Sequence, residues 1–154
     1  MSYLLDTNVL ARSIEANHPM REEAVRAVEI LLNKGEVVCV LPQNLIEFWN
    51  VCTRPADRNG LGQMPEIAGQ HIARFEQTFA LLPDTPTIYH ERKRLVINHS
   101  VSGAQVHDAR IVAAMNIHGI GSFITFNSSD FRRYQGISIF SPQEIINEYG
   151  RQQQ

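Results

Sequence analysis

Two carboxylates follow apolar segments from which short buried strands are predicted. Asp6 comes directly after the apolar run at 3–5, and Asp130 comes shortly after the run at 122–126. In a parallel sheet the carboxyl ends of the strands meet at one edge, and functional sites form there. Each residue also has an alternative role that is purely structural. Asp6 would make a good N-cap for a following helix, and Asp130 lies among turn-forming Asn and Ser residues.

Two more carboxylates lie on predicted helices. Asp108 is at helical spacing from the apolar residues of its helix, predicted at 106–118. Because an ionised carboxylate is rarely buried without a partner, this position favours a cation facing the first turn of that helix. Glu47 borders the apolar face of a helix predicted to begin at Pro42, where a solvated surface glutamate would fit equally well. That apolar face is predicted to consist of Leu45, Phe48, Trp49 and Cys52.

The four carboxylates are more informative together than one at a time. Acidic groups repel one another, so a cluster of them is favoured only when cations neutralise it. The two cysteines and six histidines show no metal-ligand spacing, and oxygen-only ligation selects a hard cation such as Mg²⁺ or Mn²⁺. Such an ion lowers the pKa of a bound water and stabilises the charge that develops on a phosphodiester. The residues therefore predict metal-dependent hydrolysis of a phosphodiester.

The elements that must position these residues alternate between strand and helix. Short apolar or β-branched runs predict the strands, and apolar periodicity bounded by prolines and glycines predicts the helices. This alternation predicts an α/β fold with a parallel sheet covered on both faces. The predicted strands are at 3–5, 37–41, 81–82, 122–126 and 137–139. One predicted helix follows Asp6 and ends near residue 15, and two others begin at 42 and at 142. The remaining helices are predicted over 22–32, 66–80, 87–99 and 106–118.

The composition is that of an ordinary globular protein. With 154 residues, 44% of them hydrophobic and 19% charged, we expect one domain over 1–150 and a polar tail at 151–154. The net charge is −2, but removing the four carboxylates from the 16 acidic residues leaves 12 against 14 basic ones. Charge therefore neither supports nor excludes a nucleic-acid partner. The absence of a bilayer-length apolar run, of a signal-peptide pattern and of a disulfide framework predicts a cytoplasmic protein.

Four parts of the chain resemble the PIN-domain family of nucleases, in particular the toxin branch of bacterial toxin–antitoxin pairs (VapC-like proteins). The opening Leu5-Asp6-Thr7-Asn8-Val9-Leu10 resembles the first motif of the family, and Glu47 matches its second acid. His107-Asp108-Ala109-Arg110-Ile111-Val112-Ala113-Ala114 places Asp108 at the third acid. Thr125-Phe126-Asn127-Ser128-Ser129-Asp130-Phe131 resembles the closing motif. The order and approximate spacing of the four parts agree over nearly the whole chain.

The resemblance implies a fold, an activity and partners. The fold would be a three-layer α/β/α sandwich around a mostly parallel sheet. The activity would be Mg²⁺- or Mn²⁺-dependent cleavage of single-stranded regions of RNA by an activated water. Its partners would be a second copy of the chain and a small antitoxin, a segment of which blocks the acidic groove. The metal would be bound, directly or through water, by Asp6, Glu47, Asp108 and Asp130. The ligands or the water would be oriented by Thr7, Asn8 and Asn127.

Several arginines are placed where they could contact the phosphates of RNA. Arg12 and Arg110 lie one or two helical turns from the predicted acids and could pair with those acids instead. Arg132 and Arg133, which follow Asp130, could equally be solvated surface residues with no contact to RNA. The turn-rich segment at 54–65 could form a flap that also carries Arg58, or it could be an ordinary surface turn. The candidate phosphate contacts are Arg12, Arg54, Arg110, Arg132 and Arg133.

Three other functions compete with this interpretation. A phosphatase of the haloacid-dehalogenase kind also begins with a strand that ends in Asp, but it needs a second Asp where this chain has Asn8. It also needs a suitably placed lysine, and the only lysines are Lys34 and Lys93. A non-catalytic interaction module is disfavoured by the intact set of four acids. A nuclease outside the toxin branch, acting on other RNA or on DNA, stays open because recognition of the ribose 2′-OH has no signature here.

Overall fold

The computed structural model describes residues 1–150, so the predicted tail at 151–154 lies outside the described residues. Strands and helices alternate along the chain as predicted. The strands are β1 (Ser2–Leu5), β2 (Val37–Val40), β3 (Ala80–Leu81), β4 (Ser122–Ile124) and β5 (Ser138–Phe140). The helices are α1 (Thr7–Ile14), α2 (Arg21–Asn33), α3 (Pro42–Thr53), α4 (Pro65–Thr78), α5 (Pro86–Asn98), α6 (Val106–His118) and α7 (Pro142–Gly150). Short 3-10 helices lie at Ala56–Arg58, Gly103–Gln105 and Ser128–Phe131.

The five strands form one sheet in the order β3-β2-β1-β4-β5, and every neighbouring pair is parallel. Leu4 of β1 is in register with Cys39 of β2 on one side and with Phe123 of β4 on the other. The chain builds outward from β1 through β2 to β3 and then returns to β4 on the opposite side of β1. The order of the sheet therefore reverses between β1 and β4, which is where open α/β sheets form their binding crevices.

Side chains that alternate along the central strands form an apolar core on each face of the sheet. Tyr3 and Leu5 of β1 face one side, and Leu4 between them faces the other. The first core is covered by α1, α2, α3, α4 and α7, with Phe48 of α3 fully buried. The second core is covered by α5 and α6, with Met115 of α6 fully buried. The predicted α/β/α sandwich is confirmed.

The helix ends follow the local sequence signals. Ser141 caps the last helix, since its Oγ accepts a hydrogen bond of 3.1 Å from the backbone N–H of Glu144. Gly119 follows α6 with a φ of +70°, a left-handed conformation that glycine adopts without strain. Four helices begin with a proline, whose missing N–H needs no partner in the first turn. These prolines are Pro42, Pro65, Pro86 and Pro142.

One residue of the predicted apolar face of α3 is only partly buried. Trp49 was expected on the apolar face of α3, but its side chain is 38% exposed while its neighbour Phe48 is fully buried. The ring of Trp49 lies over Gly69 of α4, at the edge of the first core. Because successive helical residues point in directions about 100° apart, α3 can bury the Phe48 ring only by turning Trp49 outward. No helix within residues 1–150 is long and apolar enough to span a membrane.

Candidate functional site

The candidate site lies at the carboxyl edge of the sheet, where its order reverses between β1 and β4. Asp6 follows β1 directly, and its backbone N–H donates to the carbonyl of Ile124 at the end of β4, at 2.9 Å. Thr125, the residue after β4, donates its hydroxyl to Oδ2 of Asp6 at 2.7 Å and is fully buried. Thr125 was not predicted as a site residue. Its position as a polar residue after a buried strand was the signal available.

The carboxylate of Asp6 is 8% exposed and is held by neutral donors. Its Oδ1 accepts from the backbone N–H of Thr7 at 2.8 Å, so Asp6 caps α1 as well as lying in the site. Its Oδ2 accepts from Asn8 at 3.3 Å in addition to the Thr125 hydroxyl. The pKa of Asp6 is raised to about 6, mainly by burial. The hydrogen bonds from Thr125 and Thr7 oppose this rise, and the nearby charges of Glu47 and Asp108 add to it.

Glu47 projects from α3, and both of its oxygens accept hydrogen bonds from side chains. Its Oε2 accepts from the hydroxyl of Thr7 at 2.8 Å, and its Oε1 accepts from Nε2 of Gln43 at 2.9 Å. The fully buried Asn44 donates to the same Thr7 hydroxyl at 3.4 Å and accepts from the backbone N–H of Leu41. The predicted polar residue Thr7 therefore connects the Asp6 turn to α3.

Gln43 joins the two helices that carry Glu47 and Asp108. In addition to its bond to Glu47, its Nε2 donates to the backbone carbonyl of His107 in α6 at 3.0 Å. Its Oε1 accepts from Arg110 of α6 at 3.1 Å, and Arg110 forms an ion pair with Asp84 at 3.0 Å. Sequence analysis did not single out Gln43, since its partners in α6 lie more than 60 residues away along the chain.

Asp108 lies half-buried in the first turn of α6, as predicted. Burial raises its pKa, and the charges of Asp130 and Glu47 raise it further. His107 and Arg133 act in the opposite direction. Asp130 is exposed in the 3-10 helix that follows β4, and it is the acid with the largest charge effect on Asp108. The four predicted acids are therefore neighbours, with Asp130 at the outer border.

A cavity of about 490 Å³ opens over these residues. Three of the four acids line it, together with all three of the predicted orienting residues and two of the predicted arginines. No Lys or Arg within residues 1–150 forms an ion pair with any of the four acids. Among the described residues, no group of three or more His, Cys, Asp or Glu is arranged closely enough to hold a metal ion as it stands. The lining residues are Asp6, Thr7, Asn8, Ala11, Arg12, Glu47, Asn50, Val51, Arg54, Asn59, Asp108 and Asn127.

The predicted arginines divide into two in the cavity wall and three outside it. Arg12 lines the cavity and forms an ion pair with Glu15 at 2.7 Å, so it does not pair with a site acid. Arg54 lines the cavity from the loop after α3. Arg110 is held by Gln43 and Asp84, as described above. The two arginines after Asp130 are exposed, and one of them, Arg133, donates to Gln105 at 2.7 Å.

Comparisons with known proteins agree with this fold. The family model for the PIN domain matches residues 3–137, whereas a comparison with curated protein sequences found no significant match. The fold is similar to VapBC2 of Rickettsia felis bound to promoter DNA, with a TM-score of 0.70 and 14% identity over 92% of this chain and 98% of that one. It is also similar to VapBC-1 of nontypeable Haemophilus influenzae, with a TM-score of 0.68 and 13% identity over 93% and 99%. VapC20 of Mycobacterium tuberculosis, described as a toxin that cleaves the sarcin–ricin loop, has a TM-score of 0.64 and 19% identity over 84% and 93%.

Proposed function

This chain belongs to the PIN domain family, and we propose that it is a metal-dependent endoribonuclease that cuts single-stranded regions of RNA. The observation that carries the proposal is the convergence of Asp6, Glu47 and Asp108 from three separate elements on one cavity. Burial and mutual repulsion raise the pKa of Asp6 and Asp108. A cluster with this electrostatic cost is retained when a cation neutralises it.

The donor set fits a hard divalent cation such as Mg²⁺ or Mn²⁺. Only oxygen ligands are present, and the donors that hold Asp6 and Glu47 are neutral, so the carboxylates keep their charge for an ion. We assign ion binding to Asp6, Glu47 and Asp108, with Asp130 at the border, and these side chains would move closer together on binding. The ion, when bound, supplies an acidic water and compensates negative charge on the phosphodiester.

The chain's own residues orient the ligands and the substrate. Thr7 and Asn8 restrain Asp6, and Thr7 also restrains Glu47. Asn127 lines the cavity, and its backbone N–H donates to the hydroxyl of Thr125 at 2.9 Å. We assign contact with the RNA phosphates to the arginines in or beside the cavity, because a guanidinium binds a phosphate through two parallel hydrogen bonds. These are Arg12, Arg54, Arg132 and Arg133, while Arg110 positions Gln43 instead.

The proposed biological role is that of the toxin in a toxin–antitoxin pair of the cytoplasm. Several solved structures with this fold are VapBC or other toxin–antitoxin complexes. An apolar groove of about 250 Å³ between α1, α2 and α4 offers a surface for an antitoxin segment. Ile46 is 70% exposed beside Trp49 on α3, which supports a second copy of the chain as a partner at that face.

The phosphatase alternative finds less support. Asn8, at the position where that chemistry needs an acid, hydrogen-bonds through both its amide nitrogen and its oxygen. Lys34 comes just before β2, at the amino edge of the sheet, and its ammonium lies 4.5 Å from the centre of the Tyr149 ring. It is therefore far from the acidic cavity at the carboxyl edge.

Cleavage of labelled single-stranded RNA with Mg²⁺ or Mn²⁺ tests the proposal, with single-stranded DNA of the same sequence alongside. We expect cleavage of the RNA that EDTA abolishes and that both Asp6→Asn and Asp108→Asn abolish. Asp57→Asn is the matched control, because Asp57 is exposed and lies outside the cavity. Cleavage that survives both site substitutions would place the activity elsewhere. Preferential cleavage of the DNA would favour the alternative of a DNA-directed nuclease.

A further inference from the structure

Arg54 is the cavity arginine whose charge has no carboxylate partner. Arg12, the other arginine in the wall, is paired with Glu15, whereas Arg54 forms no ion pair with any residue in 1–150. One amino group of Arg54 donates to the backbone carbonyl of Asn59 at 2.8 Å. Its Nε is buried and has no hydrogen-bond partner. A buried donor without a partner carries a desolvation cost. Because Arg54 also lines the cavity, its guanidinium keeps hydrogen-bonding capacity for an acceptor there.

The loop after α3 folds back onto the helix end and holds Arg54 in place. The last carbonyls of a helix lack intrahelical partners. Here the backbone N–H groups of residues 61–63 donate hydrogen bonds to the carbonyls at the end of α3. The backbone N–H of Leu61 donates to Val51 at 3.0 Å, and that of Gln63 donates to Cys52 at 2.9 Å. Gly62 donates to the carbonyl of Arg54 itself at 2.9 Å. The turn-rich segment is therefore an ordered cap on α3.

Gly60 makes the close approach of this loop to Arg54 possible. A Cβ at position 60 would lie 1.9 Å from the backbone oxygen of Arg54 and 2.3 Å from its carbonyl carbon. Because both atoms belong to the backbone, no rotation of a side chain would relieve that clash. The preceding Asn59 adopts a left-handed conformation with a φ of +62° and presents its carbonyl to the Arg54 guanidinium. Asn59 and Gly60 thus orient Arg54 toward the cavity.

We propose that Arg54 binds a phosphate of the RNA backbone that neighbours the phosphodiester being cut. The inference rests on the proposed function, since it takes RNA as the substrate. The guanidinium is the right group for a phosphate because its planar fork donates two hydrogen bonds at once. Arg54 follows α3 directly and comes seven residues after Glu47, about 10 Å farther along the helix axis. We therefore assign Arg54 to substrate binding rather than to bond cleavage.

Binding of fluorescein-labelled single-stranded RNA in EDTA, followed by fluorescence anisotropy over a range of salt concentrations, tests this contact. Each phosphate contact to a single strand contributes about 0.7 to the slope of log K against log salt. We expect Arg54→Gln to lower that slope by about 0.7 and to weaken binding at low salt about tenfold. Arg54→Lys keeps the charge and should keep the slope while losing part of the affinity.

Arg58→Gln is the matched control. Arg58 is exposed in the same loop and does not line the cavity, so its removal should leave the slope unchanged. Gly60→Ala leaves every charge in place but displaces Arg54, and it should reduce the slope as Arg54→Gln does. Thermal unfolding of each variant verifies that it is folded. Equal slopes for Arg54→Gln and wild type, or equal losses for Arg54→Gln and Arg58→Gln, would overturn the assignment.

Steady-state cleavage separates this inference from the proposed function. Arg54→Gln should raise KM about tenfold and leave kcat unchanged, because the contact acts in substrate binding. A fall in kcat at constant KM would place Arg54 at the reacting phosphate and contradict the assignment. If wild type binds and cuts RNA and Arg54→Gln behaves identically, only this inference fails. If wild type neither binds nor cuts single-stranded RNA, the proposed function itself fails.

Discussion

Replacing Asp6 by asparagine is expected to stabilise the metal-free protein increasingly as the pH rises. Folding raises the pKa of this carboxyl from 3.8 to about 6, mainly because the group is buried. Between these two values the folded chain binds one more proton than the unfolded chain. The free energy of unfolding therefore falls as the pH increases through that interval and stays low above it. An amide at position 6 does not titrate, so the free energy of unfolding of the variant does not show this decrease with pH.

The size of the effect follows from the shift in pKa. A shift from 3.8 to about 6 corresponds to about 3 kcal/mol between the two limits, at about 1.4 kcal/mol for each pH unit. Between pH 4.5 and pH 8 the accessible part is about 2 kcal/mol. The hydrogen bond from the Thr125 hydroxyl to Oδ2 changes in the variant at every pH. That contribution cancels when the two pH values are compared.

Urea unfolding in EDTA at pH 4.5 and pH 8 measures the effect. The difference in the free energy of unfolding between Asp6→Asn and wild type should become about 2 kcal/mol more favourable to the variant at the higher pH. Asp57→Asn makes the same chemical change at an exposed position, and its difference from wild type should not vary with pH. Parallel pH dependences for Asp6→Asn and wild type would refute the burial argument for Asp6.

Three further outcomes are expected. Mn²⁺ at 100 times its dissociation constant should stabilise wild type by about 2.7 kcal/mol. This stabilisation is measured as a rise in Tm, and it should be absent in Asp6→Asn. An equal rise in Tm for both proteins would place the ion elsewhere. Gln43→Ala should weaken Mn²⁺ binding about tenfold in isothermal titration calorimetry, because Glu47 loses the donor to its Oε1; unchanged affinity would mean that Gln43 only joins α3 to α6. Phe48→Ala should lower the free energy of unfolding by about 3–5 kcal/mol in urea, since this ring is fully buried in the first core; a loss under about 1 kcal/mol would contradict its place there.

The secondary structure was predictable because its signals are local. A buried strand such as Val37–Val40 is recognised from its β-branched run, and helix starts are marked by Pro42 and Ser141. Element ends were less predictable. The segment predicted as a strand over 122–126 stops at Ile124, and Thr125, the next residue, donates its hydroxyl to Asp6. The helix predicted to reach 80 ends at Thr78, because Ala80 pairs with Cys39 of β2.

The candidate acids could also be picked out from the sequence, since each follows a strand or lies in the first turns of a helix. All of these positions are near the carboxyl edge of the sheet. Their assigned roles, the division into a domain at 1–150 and a tail at 151–154, and the cytoplasmic location stay predictions. The orienting contacts were not predictable from spacing. Sequence analysis did not single out Gln43, and it included Thr125 only within a motif. Thr125 meets Asp6, and Gln43 reaches α6, through contacts between residues that are distant in sequence.

The sequence by itself determined the alternation of strands and helices, the two apolar cores and the residues able to bind a cation. Those properties depend on periodicity and residue type within short segments. The tertiary structure decided which polar groups meet, such as Thr125 with Asp6 across 119 residues and Gln43 with His107 across 64. It also decided that Arg54, and not Arg58, lines the acidic cavity. Such contacts depend on strand order, on the rotation of each helix about its axis and on a glycine that lets one loop approach its helix, and no local pattern specifies them together.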